Sequence, residues 1–156
     1  MSGVIENRKG AARAKAKAAQ VPDAASLIGL RVAGIMELIA SIKRGLEYAS
    51  MEHFIRKANL QRDEAIHLVG ISARTLVRRK EQGRLSPDES DRLVRAARIV
   101  SQAQQLFEGD GASANRWLKT SQPALGGATP VEYAGTEAGA REVEALIHRL
   151  EHGVFS

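Results

Sequence analysis

Arg74, Arg78, Arg79 and Lys80 fall within two turns of a predicted helix from Ala73 to Gln82, where Glu81 is the only acid. Residues four apart on a helix share a face, so Arg74 and Arg78 stand one above the other, with Thr75 and Arg79 beside them and Lys80 continuing the stripe. Guanidinium forks in such an array match the paired acceptors on a guanine edge in a major groove. Ser72 and Thr75, together with the helix N-terminus, suit phosphate oxygens. The candidate DNA-binding residues are therefore Ser72, Arg74, Thr75, Arg78, Arg79 and Lys80. The plainer alternative is a solvated cationic face. One acid among so many bases, directly after a helix-turn pattern, favours nucleic acid.

Other chemistry is sparse. His148 and His152 are four apart, the spacing of two metal ligands on one helix, and Glu144 or Glu151 could supply a third. Two exposed imidazoles on an acidic helix is the simpler account, so no metal site is assigned, and a small metal-dependent all-α enzyme remains only as an alternative. His53 and His67 have no recognisable partner. There is no Gly-rich phosphate loop, no Gly-x-Ser-x-Gly and no His-Glu-x-x-His, and Gly126-Gly127 reads as a turn. The absence of cysteine excludes disulfides, thiolate nucleophiles and Cys-based zinc sites. The residues thus point to a binding protein, without catalytic residues or a cofactor.

The elements that must position these residues read as helices. The chain has 156 residues, 44% of them hydrophobic but only 4% aromatic, so its core is built from Leu, Ile, Val and Ala. No period-2 alternation is sustained, and the fold class is all-α. Ile28, Val32, Ile35, Ile39, Ile42 and Leu46 follow a 4-3-4-3-4 spacing that predicts one helix, either core or part of a dimer seam, stopped at Gly45. Ser50 is the expected cap of a helix from Met51 to Ala58. Arg62 to Val69, Gly70, then a Ser72-capped helix closed by Gly83 outline a helix-turn-helix. Two positions depart from the usual pattern of that unit: Ile66 stands where a small residue is common, and Arg79 and Lys80 stand where an apolar anchor is common. Ser86-Pro87-Asp88-Glu89 starts a helix running to about Phe107. A shorter helix is expected after Ser113, one or two turns after Thr129-Pro130, and a last helix from Thr136 to about His152.

Charge is unevenly distributed. Residues 1–19 hold Arg8, Lys9, Arg13, Lys15 and Lys17 against Glu6, and residues 120–156 hold Arg141 and Arg149 against Glu132, Glu137, Glu142, Glu144 and Glu151. A basic middle and an acidic end suggest two different partners. Met1 to Gln20 alternates Ala with Lys or Arg and has little to bury, so a disordered basic arm is expected. It has no apolar stretch of the kind a secretory signal carries, and no segment is apolar for long enough to span a bilayer. A soluble cytoplasmic protein with no membrane partner is expected.

Gly70-Ile71-Ser72, Thr75-Leu76, Arg78-Arg79, Gly83-Arg84-Leu85-Ser86-Pro87 and Glu89-Ser90-Asp91-Arg92-Leu93 are followed in order by a second series. That series is Arg116-Trp117-Leu118, Pro123-Ala124-Leu125-Gly126-Gly127, Thr129-Pro130, Thr136-Glu137-Ala138-Gly139-Ala140 and Glu151-His152-Gly153-Val154-Phe155. Over about Leu30 to Ser156 the chain resembles the Xre-type antitoxins with a MbcA/ParS-like toxin-binding C-terminus. It departs at Ala134-Gly135, where a bulkier apolar residue followed by Asp is expected. The resemblance implies a bacterial type II antitoxin whose helix-turn-helix binds its operon's promoter. Its C-terminal helices would hold a cognate NAD-consuming RES-domain toxin and obstruct the active site. The implied organisation is a basic arm at 1–20, an Xre-like helix-turn-helix domain at 21–85 and a helical toxin-binding domain at 86–156. On the last helix Glu137, Arg141, Glu144 and His148, spaced 4-3-4, form the expected toxin-facing stripe, with Phe155 anchoring an apolar tip. A homodimer is expected, because one short recognition helix seldom binds operator DNA tightly alone. The alternative is a stand-alone repressor whose C-terminal half only dimerises.

Overall fold

Ser86 accepts from the Glu89 N–H at 3.2 Å while its own N–H donates to Glu89 Oε1 at 2.9 Å, a reciprocal cap that starts the longest helix beside Pro87. A computed structural model describes residues 23–153, and every regular element among them is helical. They are α1 (23–27), α2 (Ile35–Arg44), α3 (Tyr48–Lys57), α4 (Arg62–Val69), α5 (Ala73–Gln82), α6 (Pro87–Leu106), α7 (Gly111–Leu118), α8 (Pro130–Tyr133) and α9 (Glu137–Glu151), with a 3-10 turn at Pro123–Leu125. The all-α class and the order of a helix-turn-helix ahead of a second helical region agree with the sequence. The basic arm and Phe155 lie outside the described residues.

Helix α6 is the beam on which the rest is hung. Leu93, Ile99 and Val100 are fully buried, and so are the small residues Ser90, Ala96, Ala97, Ser101 and Ala103, which let neighbours approach from several sides. A helix apolar around most of its circumference belongs in an interior, and α2, α4, α7 and α9 all pack on this one. A single apolar core runs from Ile28 through Phe54, Leu68, Leu76 and Leu118 to Ile147.

Three boundaries differ from expectation. The predicted helix through Ile28 and Leu46 is broken: Gly29 takes a left-handed φ of 71°, and the Leu30 N–H turns back to the Ala25 carbonyl at 2.9 Å. A new start follows, where Glu37 Oε2 accepts from the Ala33 N–H at 2.7 Å. The apolar stripe is thereby divided, so that Ile28 and Leu46 are buried while Ile35, Met36 and Ile39 on α2 remain 54%, 83% and 44% exposed. Ser50 is not a cap but a buried residue inside α3. The helix begins earlier because the Tyr48 N–H bonds the Gly83 carbonyl (3.0 Å) and the Leu85 N–H bonds the Leu46 carbonyl (2.8 Å), hitching its start to the end of α5. Helix α7 starts at Gly111 rather than after Ser113, since Asp110 Oδ1 accepts from the N–H groups of Ala112 and Ser113 at 3.1 and 3.2 Å.

Ala134-Gly135 has a packing reason. Ala134 is fully buried, and a Cβ on Gly135 would stand 2.9 Å from the His67 carbonyl oxygen. A Cβ on Gly70 would meet the Gly135 carbonyl at 2.6 Å. The turn of the helix-turn-helix and the approach to α9 are thus in backbone contact, and no larger residue fits at either point.

Candidate DNA-binding and partner-binding surfaces

Helix α4 ends at Gly70, whose φ of 74° is left-handed, and Ile71 is buried beyond it. Ser72 then caps α5, accepting from the Thr75 N–H at 3.1 Å and donating its hydroxyl to Thr75 Oγ1 at 2.9 Å. Leu76 is the buried residue of α5 and fixes which face looks outward. Arg74, Val77, Arg78 and Lys80 are exposed. Among the described residues Arg74, Arg78 and Lys80 make no side-chain hydrogen bond or ion pair. Five of the six predicted residues, Ser72, Arg74, Thr75, Arg78 and Lys80, therefore lie on or at the rim of one open cationic surface.

The structure places Arg79 differently. Its Nε lies 2.5 Å from Glu89 Oε1 and 3.1 Å from Oε2, while Nη1 donates to Gln82 Oε1 at 2.7 Å. Burial works against the Glu89 carboxylate, but the bonds from Arg79 and from the Ser86 N–H and hydroxyl outweigh it and hold its pKa below the ordinary carboxylate value. Arg79 thus takes the inward position where an apolar anchor is common. Ile66 is half-buried at the edge of α4, and the fully buried Ala65 is the small residue α4 turns to the core.

Residues that periodicity does not single out come together in a second opening. An open cleft of about 450 Å³ between the end of α2 and the start of α3 is lined by Arg44, Arg56, Arg84 and His53. The Arg84 guanidinium donates to the Gly45 carbonyl there. Arg44, Arg56 and Arg84 come from separate elements, so no spacing within one helix could have grouped the three.

Thr136 caps α9 by accepting from the Gly139 N–H at 3.0 Å. Gly139 must lack a side chain, since a Cβ would fall 1.7 Å from the Tyr133 carbonyl oxygen at the α8–α9 corner. Of the predicted stripe, Arg141 and His148 point to solvent, whereas the two acids lean on α6. Glu137 accepts from Arg141 Nε at 3.0 Å and Arg95 Nη1 at 2.8 Å. The bonds from Arg141 and then Arg95 lower its pKa. Glu144 is half-buried and accepts from Arg98 Nε at 2.7 Å. The open face of α9 is carried by Glu137, Ala138, Arg141, Glu142, His148, Glu151 and His152. At the end of α9, His148, Glu151 and His152 bring possible ligand atoms within 4.8 Å of one another.

A helix-turn-helix with an open cationic recognition helix, continuous through α6 with a second helical layer, defines a DNA-binding regulator with an additional partner-binding region. Comparison with known proteins gives the same division. Residues 37–98 match the Antitoxin Xre-like helix-turn-helix domain, and residues 102–153 match the Antitoxin Xre/MbcA/ParS C-terminal toxin-binding domain. "Antitoxin Xre" of Yersinia enterocolitica is 39% identical over 130 residues, covering 83% of this chain and 88% of the relative. "Antitoxin Xre" of Photorhabdus laumondii is 33% identical over 76% of this chain and 81% of its own length. The "Prs ADP-ribosylating antitoxin" of a Sphingobium species is 26% identical over 78% of this chain and 82% of its own length. The chain belongs to the Xre family of type II antitoxins, with a DNA-binding domain and a domain that binds a toxin. No helix among the described residues is long and apolar enough to cross a membrane.

Proposed function

We propose that this antitoxin inhibits a cognate NAD-consuming RES-domain toxin by occluding its active site through the α9 region, and represses its own operon as a homodimer bound to operator DNA in the cytoplasm. Inhibition by occlusion requires no turnover by the antitoxin itself. The observation that carries the DNA half is the open pair of Arg74 and Arg78 opposite the buried Leu76, with the exposed Lys80 towards the end of α5 and Ser72 and Thr75 at its start. The toxin half is supported by the exposed Arg141 and His148 on a helix inside the matched toxin-binding domain, with Phe155 just beyond it. The RES assignment rests on the family resemblance. It is consistent with the ADP-ribosylating relative, because ADP-ribosylation draws its ADP-ribose from NAD. The exposed Ile35, Met36 and Ile39 on α2 give a second copy an apolar strip to cover.

The test is co-expression with the product of the adjacent gene, which on this reading is a RES-domain toxin. The two chains are expected to co-purify with NAD hydrolysis suppressed, and Arg141→Glu with His148→Glu is expected to release that activity while DNA binding persists. A toxin that stays active and elutes alone beside the antitoxin would refute the assignment.

A further inference from the structure

We infer that the last turn of α9 is a surface zinc site formed by His148, Glu151 and His152. The ligand atoms of these three side chains already lie within 4.8 Å of one another. The two imidazole centroids are 4.3 Å apart, as the i, i+4 relation on one helical face requires. Zinc bonds imidazole nitrogen and carboxylate oxygen at about 2.0–2.2 Å, so two ligands of a tetrahedral ion stand roughly 3.4 Å apart. Closing from 4.8 Å needs only rotation about side-chain torsions, and all three residues are exposed and free to rotate.

The competition for each ligand is already settled. Glu144, the other acid within reach by spacing, is bonded to Arg98 and withdrawn from the cluster. Glu151 makes no ion pair among the described residues, so its carboxylate remains available. The group sits at a helix C-terminus, where outward-pointing carbonyls favour a cation. Two nitrogens and one oxygen suit zinc among borderline divalent ions, whereas magnesium and calcium require oxygen donors. Three protein ligands leave a fourth position open, filled by water or by a side chain of another molecule. The ion would fasten His152, the C-cap residue of α9, to His148 one turn earlier.

Calorimetric titration of the untagged full chain with zinc chloride tests the site directly, without reference to toxin or DNA. One zinc per chain is expected to bind saturably. The affinity should drop roughly tenfold or more in each of His148→Ala and His152→Ala, and less in Glu151→Gln. His67→Ala, which removes an exposed imidazole on α4, should leave it unchanged. Cobalt is expected to give the intense visible bands of a tetrahedral ion with the parent chain and to lose them with the double histidine variant. Absence of saturable zinc binding, or equal affinity in the double variant, would overturn the inference.

Discussion

Arg78 and Arg79 are adjacent in sequence and identical in type, and they are expected to fail in opposite assays. Arg79→Ala removes the ion partner of Glu89, whose side chain is only 4% exposed, and leaves a carboxylate in the interior with only the Ser86 bonds. Breaking a buried pair by deleting one partner costs about 3–5 kcal/mol. Arg79 is itself 21% exposed, so water reaches part of the vacated site and the lower end, about 3 kcal/mol, applies. For a chain of this size that lowers the melting midpoint by about 6–12 °C. Arg78→Ala touches no partner and should change stability by no more than about 0.5 kcal/mol, while weakening operator binding by about 1–3 kcal/mol. Glu89 has a folded pKa below its ordinary value of 4.5, so its contribution is present above that pH. It is lost as pH falls through the lower folded value, and the gap between parent and Arg79→Ala should close with it. Urea melts of both variants across that range, beside mobility shifts on the upstream DNA, decide the matter. An Arg79→Ala protein as stable as its parent but unable to bind DNA would refute the placement.

Gly70→Ala faces both a left-handed φ and the Gly135 carbonyl 2.6 Å from the new Cβ, and should cost about 3 kcal/mol in a thermal melt. Gly83→Ala, at φ 78° with nothing nearby, should cost only about 1 kcal/mol. Arg95 is buried with Nε and Nη2 unpartnered, so Arg95→Met should leave the urea midpoint unchanged or raise stability by about 1 kcal/mol. Deleting residues 1–19, with their five cations, should reduce the slope of log K against log salt by about 0.9 for each phosphate the arm neutralises, read from operator titrations at several salt concentrations.

The capping chemistry made most of the fold readable. Ser72, Ser86, Thr129 and Thr136 each start the helix they were expected to start, because an N-cap is a local bond between residues three apart. Glycine read equally well at Gly70 and Gly83. Periodicity misled at Ile28–Leu46, since a 4-3-4-3-4 spacing survives a break in the helix and says nothing of the direction in which each half points. The inward turn of Arg79 was hidden for a different reason: its partner Glu89 belongs to the next helix. The bonds that tie Glu137 and Glu144 to α6 were not legible either, because Arg95 and Arg98 lie more than forty positions earlier. Local rules see neither relation.

Those same long-range bonds explain why one helix carries two surfaces. Arg92 Nη1 donates to the Gly70 carbonyl at 2.7 Å, Arg95 to Glu137 and Arg98 to Glu144, so cations spaced by three along α6 reach first the helix-turn-helix turn and then α9. The Arg98–Glu144 pair is partly open to water and contributes little by itself. The buried Leu93, Ile99 and Val100 on the same beam supply the apolar area that holds the layers together. Cations aimed along one flank then set the angle at which each layer meets α6. The two family matches end at residue 98 and begin at residue 102, both inside α6. A border inside a buried helix means that neither surface has a core of its own, and the position of the recognition helix is fixed by the element that also positions α9.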